Sequence, residues 1–468
     1  MGAPAAHAAG PGSVAALSLP RRIRAPLYAR AGELDWDRLA IAAIAVGMVL
    51  RAVLVFALHP PQSYVYSDMQ GYVSRAMQIA FGGGRSPFPV HALALNPPGT
   101  QLLLALVLKL FGRGAGGLHW AGAMWFALSA LVPVLAWRLA RVLLNPPAAA
   151  LTAALAAIYP LFILYSGFFT SETPAIALLC GALWLGYRAG RSSPRAGLVL
   201  GAGGGLLGGA LVATRPQFIL NLGLVLIPLV GDLRARWRAA LGFTLGVVVV
   251  LVAVFAVNSG NAGHLTGVSE NGGISFYQAQ CDVHEVFVGQ PPDRKLFGNP
   301  VSAQLGRGHD FYFPDHRPWD QGFFYDQGLK CIGAEGFGHV FVFARELLDL
   351  TVTTTPWPLV DGPSPTIADA ANIVYCAALL ALLLVVVSTR HRWTLGERAG
   401  SGPWILAAQL AMLAPATIVF GSEPRYRVPY DVFGLALVAW LIADRLPARR
   451  TGPRHASIWP RPHGRYTE

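Results

Sequence analysis

Several short polar stretches interrupt an otherwise apolar chain, and their residue types are those of group transfer. The first is Tyr66-Ser67-Asp68-Met69-Gln70-Gly71-Tyr72. Ser67 followed at the third position by Gln70 has the form of a capping box, so a helix is expected to begin here. Asp68 then occupies the first turn, where the helix dipole favours an ionised carboxylate. A carboxylate kept ionised at a lipid–water boundary suits a general base that takes a proton from an acceptor hydroxyl. Acidic first turns are also common as plain helix caps, and composition alone favours that simpler role. Met69, Tyr72, Val73, Ala76, Met77 and Ala80 recur at helical spacing on one face, with Gln70, Ser74, Arg75 and Gln78 opposite. Such an amphipathic helix is suited to lie on a membrane surface.

Further polar groups sit at the ends of apolar runs. In Thr170-Ser171-Glu172-Thr173-Pro174, Ser171 can be an N-cap with Glu172 and Pro174 in the first turn, or Glu172 can be a second carboxylate facing Asp68. Arg215, in Thr214-Arg215-Pro216-Gln217, can snorkel to the interface or clamp a phosphate with its planar guanidinium. The densest stretch, Gly421 to Asp431, carries Glu423, Arg425, Tyr426 and Arg427 between two apolar runs. A lipid phosphate explains its two arginines; ion pairs with Glu423 and Asp431 are the rival explanation. Ser269 to Tyr277 joins glycines to Asn271, Phe276 and Tyr277, which can contact a sugar or form a turn before a strand. His284-Glu285, His309-Asp310 and Asp315-His316 match no metal-ligand framework, and GxGxxG, P-loop and HExxH motifs are all missing.

The elements that must hold these residues are membrane spans. The chain is 54% hydrophobic and 13% charged, too apolar for a soluble domain of 468 residues. Apolar runs cover Leu39–Leu58, Leu118–Trp137, Ala148–Tyr165, Thr173–Tyr187, Gly197–Ala213, Gln217–Val230, Leu241–Val257, Ala368–Val387, Pro403–Phe420 and Val432–Ile442. A full crossing by Asn96–Phe111, opened by Asn96-Pro97-Pro98-Gly99, breaks the alternation before Leu118, so this run is re-entrant or interfacial, or another span is merged or missed. The net charge of +12 lies in short arginine runs between spans, as the positive-inside rule asks, and not in a nucleic-acid footprint. With the Arg138/Arg141, Arg188/Arg191/Arg195 and Arg234/Arg236/Arg238 loops inside, Asp68, Glu172, Arg215 and the Glu423–Arg427 stretch all fall outside. The domain reading is therefore a basic cytoplasmic tail (1–38), a transmembrane catalytic module (39–257, with an outside loop at 60–95), and an extracytoplasmic insert (258–366). C-terminal spans (367–446) and a second basic tail (447–468) complete it. Glycines between Gly201 and Gly209 are expected to let helices pack closely. Cys180 and Cys376 lie in apolar runs; Cys281 and Cys331 share the insert and can pair if it faces an oxidising compartment.

In this order and placement, Ser67-Asp68…Tyr72, Asn96-Pro97-Pro98, Ser171-Glu172-Thr173-Pro174, Asn271-Gly272-Gly273…Phe276-Tyr277 and Arg425-Tyr426-Arg427-Val428-Pro429 resemble the GT-C integral-membrane glycosyltransferases. The similarity is to the branch holding protein O-mannosyltransferases and lipid A aminoarabinose transferases, and it spans roughly residues 39 to 445. It implies an all-α transmembrane bundle that moves a sugar, with inversion, from a polyprenyl-phosphate donor to an acceptor on lipid, glycan or protein. Asp68 matches the family's catalytic acidic residue, and Arg425 and Arg427 match positions near the lipid phosphate. Many relatives carry two adjacent acidic residues in the first loop, where this chain has Met69 after Asp68; Glu172 is the candidate for the second. Tyr72, Arg215, Asn271, Tyr277, Glu423 and Tyr426 complete the expected substrate site. The implied location is the inner (plasma) membrane with both termini cytoplasmic. No cofactor is expected, with a divalent metal left open. A flippase for lipid-linked sugars and a non-catalytic envelope assembly protein are the competing readings.

Overall fold

Proline and glycine decide where the apolar runs break into helices. In the computed structural model residues 35–82, 93–230, 233–281, 286–288, 311–313, 315–352, 357–359, 364–389, 401–421 and 423–444 are described. The N-terminal half comprises α1 (Trp36–Val53), α2 (Ser67–Phe81), α3 (Gly99–Phe111), α4 (Ala115–Leu143), α5 (Pro146–Ile158) and α6 (Pro160–Leu164). It continues through α7 (Glu172–Ala189), α8 (Pro194–Thr214), α9 (Ile219–Val230) and α10 (Leu233–Ala262). Beyond these lie α11 (Gly272–Cys281), β1 (Val286–Val288), β2 (Phe311–Phe313), α12 (Gln321–Glu335) and α13 (His339–Val352). The last helices are α14 (Pro365–Thr389), α15 (Gly402–Ala411), α16 (Leu413–Phe420) and α17 (Asp431–Asp444). Among the described residues seven helices are long and apolar enough to cross a bilayer, or eight if the bent pair α5–α6 is one span. The protein is a multi-pass all-α bundle, with one short parallel strand pair, β1 against β2.

The bend between α5 and α6, 53°, follows from sequence. Pro160 has no amide to donate and drives the preceding Tyr159 into an extended conformation. The helical partners of the Ala156 and Ala157 carbonyls would be residues 160 and 161, beyond the break. Arg51, fully buried on α1, takes their place. It donates to Ala157 O at 2.6 Å, Ala156 O at 3.1 Å and Gly47 O at 3.0 Å, and to Ser129 Oγ on α4 at 2.8 Å. One side chain thus ties α1, α4 and α5 together where a lipid-facing carbonyl would find no water.

The glycine cluster packs as its composition implies. A Cβ at Gly201 or Gly205 would strike the Ala239 or Phe243 backbone of α10, and one at Gly204 would meet Ala182 and Gly186 of α7. Small residues therefore let α8 lie flat between α7 and α10.

The first outer loop differs in detail from expectation. The helix opens at Ser67 itself, with Tyr66 as the cap residue and no side-chain capping bond, so the capping box does not form. The apolar face is buried, with Met69, Val73, Ala76 and Ala80 in the core. On the polar face Arg75 and Gln78 are buried too, because α2 docks on α3 as well as on the core. Arg75 Nε donates to Gln101 Oε1 at 2.8 Å, and Lys109 Nζ caps α2 at Ala80 O, 3.0 Å. Helix α3 has 13 residues and spans about 20 Å at ~1.5 Å per residue, short of a ~30 Å hydrocarbon core. Of the run Asn96–Phe111 only Gly99–Phe111 is helical, too short to span such a core upright, and Gly112 (φ 97°) ends it before α4.

The insert is docked on the bundle. Residues Asn271 to Tyr277 open a helix, α11, and not a turn before a strand. The Glu270 amide donates to Ala94 O and Leu95 O at 3.0 and 3.1 Å, and Asn271 Nδ2 to Asn96 Oδ1 at 3.1 Å. Cys281 of α11 and Cys331 of α12 form a disulfide. Cys180 is buried, whereas Cys376 is only partly so. The two basic tails (1–34 of the first, and 447–468), His284-Glu285 and His309-Asp310 lie outside the described residues.

Candidate functional site

Helix α2 presents its first turn to a one-turn helix, Pro424–Tyr426, that links α16 to α17. Their meeting point is an ion pair: Arg425 Nη1 donates to Asp68 Oδ2 at 2.8 Å. Arg425 Nε also lies 2.7 Å from Glu423 Oε2, so one guanidinium is shared by two carboxylates. The Asp68 side chain is 49% exposed and that of Arg425 15%, which leaves the carboxylate open to an incoming molecule. Pro424 and the cap geometry of Glu423 set this turn, and Gly421 (φ 85°) ends α16 just before it.

The guanidinium of Arg425 lies over the ring of Trp357 at 4.7 Å and of Tyr426 at 5.6 Å. Trp357 is fixed through its backbone: Tyr165 OH donates to Trp357 O at 2.6 Å, and Tyr66 OH to Pro358 O at 3.2 Å. Trp357 was not singled out from sequence. Its one signal is a tryptophan between two prolines near the end of a long polar segment.

A second ion pair lies alongside. Ser171 is the cap residue of α7, as expected, yet its hydroxyl does not cap the helix. It accepts from Arg215 Nε at 2.9 Å, while Arg215 Nη2 pairs with Glu172 Oε1. Arg215 reaches this point because α8 ends at Thr214 and the extended backbone of Arg215 turns toward α7. The Tyr426 ring stands 5.3 Å from its guanidinium.

Tyr72, one turn along α2 from Asp68, lies in the field of both pairs. Burial pushes its phenol pKa up, the Asp68 and Glu172 carboxylates push the same way, and Arg425 and Arg215 oppose them. Glu423 shifts upward for the same first reason, desolvation, with Arg425 opposing and Asp68 and Glu172 adding to it. Asp68, Tyr72, Glu172, Arg215, Glu423, Arg425 and Tyr426 therefore form one neighbourhood, assembled from four separate parts of the sequence.

Three expected site residues stand elsewhere. Arg427 is buried in its own network: Nε pairs with Asp431 Oδ1 at 2.9 Å, Nη1 donates to Leu350 O at 2.8 Å, and Nη2 bonds Asn372 Oδ1. Tyr159 OH donates to the other Asp431 oxygen at 2.7 Å. With its donors committed to protein groups, Arg427 serves the loop and not a lipid phosphate; of the rival explanations for the two arginines, ion pairing holds for this one. Tyr277 packs with Phe313 and Phe324 in the small core of the insert. Asn271 bonds Asn96 and fastens the insert to the mouth of α3. Among the described residues no group of three or more His, Cys, Asp or Glu is arranged to hold a metal ion.

Residues 95–259, from the approach to α3 through most of α10, match the family model described as dolichyl-phosphate-mannose-protein mannosyltransferase. The match bears out the resemblance to the GT-C glycosyltransferases read from the motifs. Among solved structures, the archaeal oligosaccharyltransferase AglB from Archaeoglobus fulgidus, in complex with an inhibitory peptide and a dolichol-phosphate, aligns with a TM-score of 0.46 and 14% identity. That alignment covers 87% of this chain and 50% of that one. The Archaeoglobus fulgidus oligosaccharyltransferase tethered with an acceptor peptide aligns at 0.43 and 13%, covering 87% and 50%. This chain thus spans about half the length of these enzymes. No curated protein sequence matches the chain.

Proposed function

We propose that the protein transfers a sugar from a polyprenyl-phosphate donor to an acceptor hydroxyl, with inversion at the anomeric carbon, on the extracytoplasmic side of the inner (plasma) membrane. The observation that carries this reading is the Asp68–Arg425 contact at 2.8 Å, an open carboxylate beside a guanidinium held on two aromatic faces. A donor phosphodiester and Asp68 are both partners for Arg425. As the phosphate takes the guanidinium, Asp68 is left to accept the acceptor proton. The acceptor oxygen then attacks the anomeric carbon, and the carbon–oxygen bond to phosphate breaks with its electron pair going to the phosphate. Arg425 stabilises the charge that develops there. Polyprenyl phosphate leaves readily, so no general acid is needed. The mannosyltransferase family match to residues 95–259 supports a lipid-linked donor. The arginine-rich short loops support a cytoplasmic location for both termini.

The test is transfer by the purified protein from candidate polyprenyl-phosphate sugars, comparing wild type with Asp68→Asn. General-base loss is expected to lower kcat by about 10²–10⁴-fold, with donor binding retained. Undiminished transfer by the variant removes Asp68 from the mechanism. Movement of the lipid across the bilayer without a new glycosidic bond would identify a flippase instead.

A further inference from the structure

The second ion pair holds two polar atoms that the protein does not satisfy. Glu172 is 0% exposed and Arg215 6%, yet Glu172 Oε2 and Arg215 Nη1 have no hydrogen-bond partner. The other atoms of the pair are occupied: Arg215 Nε by Ser171 Oγ, and Nη2 by Glu172 Oε1. Burying an acceptor and a donor unpaired is unfavourable, and a bound group that offers both a donor and an acceptor removes that cost. The two atoms, one an acceptor and one a donor, belong to the partners of one ion pair.

Their chemistry selects a ligand group. A hydroxyl is both donor and acceptor, and so suits Oε2 and Nη1 alike. A phosphate offers only acceptors and meets the Glu172 charge. An ammonium offers only donors and meets the Arg215 charge. A hydrogen in place of the hydroxyl leaves both buried atoms unpaired. The position is equally specific, because the Tyr426 ring lies 5.3 Å from the Arg215 guanidinium and 5.6 Å from that of Arg425. A group bound here is therefore adjacent to the transfer centre, with the partly exposed Tyr426 ring covering Arg215.

We propose that Glu172 and Arg215 jointly bind one hydroxyl of the transferred sugar, and so select a neutral sugar over its deoxy and amino counterparts at that position. Glu172 is then a specificity-determining residue and not a second base. The inference rests on the transferase reading above. Its test begins with wild-type protein and polyprenyl-phosphate sugars in which each hydroxyl in turn is replaced by hydrogen or by an amine. One position is expected to lose about a hundredfold or more in kcat/KM with either replacement, since a site built for a hydroxyl rejects its absence strongly. Glu172→Gln should narrow that gap to about tenfold by lowering the rate with the hydroxylated donor. Asp68→Asn should slow all donors alike and leave the gap unchanged. Transfer from every analogue at similar rates overturns the inference alone and makes the pair a structural tie. Absence of transfer from every polyprenyl-phosphate sugar overturns the transferase reading and this inference with it. Because the wild-type series decides the matter, a Glu172→Gln chain that fails to fold leaves the test intact.

Discussion

Arg425 and Arg427 stand two residues apart and have opposite roles, which sequence could not separate. Both read as outer-face arginines in excess of the usual bias. The difference lies in what each meets: Arg427 faces Asp431, Asn372 and the Leu350 carbonyl in the interior, whereas Arg425 faces Asp68 and Glu423 at the edge of an opening. Asp68 stands 357 positions from Arg425, and Leu350 and Asn372 stand 77 and 55 from Arg427, so no local pattern encodes these partners. The place of Asp68 in the first turn of α2 was legible because it depends on neighbouring residues alone. Glu172 and Arg215 were legible as polar groups at helix ends, but their pairing was not. The shared guanidinium supports a prediction. Arg425→Lys keeps the charge but loses the planar fork that reaches Asp68 and Glu423 together and stacks on Trp357 and Tyr426. Donor binding, measured by titration with a polyprenyl phosphate, is expected to weaken about tenfold, equivalent to ~1.4 kcal/mol. A lysine variant that binds as tightly as wild type would show that charge alone suffices.

At the scale of the helix, periodicity and punctuation did most of the placing. The amphipathic stripe of α2, the glycine face of α8 and the helix start at Glu172 follow from local sequence, whereas the single apolar run Ala148–Tyr165 is split into α5 and α6 at Pro160. What escaped was docking. Arg75 and Gln78 look solvent-facing on a helical wheel and are buried because α3 folds back over them. The pause in α5–α6 is likewise readable from Pro160, but its repair by Arg51 is not, since the donor sits 105 and 106 residues away. That repair has a measurable worth. In Arg51→Ala the Ala156 and Ala157 carbonyls lose their donors in a region without water. Unfolding in detergent should show a loss of about 3 kcal/mol, the cost of two unsatisfied buried acceptors. Arg51→Lys should be intermediate, because one ammonium cannot span all four acceptors that Arg51 reaches from α1, α4 and α5. A stability equal to wild type in the alanine variant would mean that the α5–α6 break relaxes to satisfy its own carbonyls.

On the scale of the whole molecule, the insert and the site share one end of the bundle. The Glu270 amide and Asn271 hold α11 against the entrance of α3, and Gln280 bonds the Ile418 carbonyl of α16, just before the turn that carries Arg425. Trp357 extends the same insert over the Arg425 guanidinium. Cys281 and Cys331 of this insert form a disulfide, which is expected where the insert faces an oxidising compartment, as the proposed extracytoplasmic site has it. The arginine loops, by the positive-inside rule, belong to the opposite side. These two arguments are independent, one from redox chemistry and one from charge, and both predict the orientation proposed above. Ser193, exposed in the loop between α7 and α8, provides the contrasting position. In cells with an opened outer envelope, an impermeant maleimide should label Cys331 only after reduction and without permeabilising the membrane. A Ser193→Cys variant should be labelled only after permeabilisation. Labelling of both positions from one side would contradict either the disulfide's compartment or the charge rule. If both label only after permeabilisation, the Asp68–Arg425 centre moves with the insert to the face where nucleotide-linked donors, and not lipid-linked ones, are at hand.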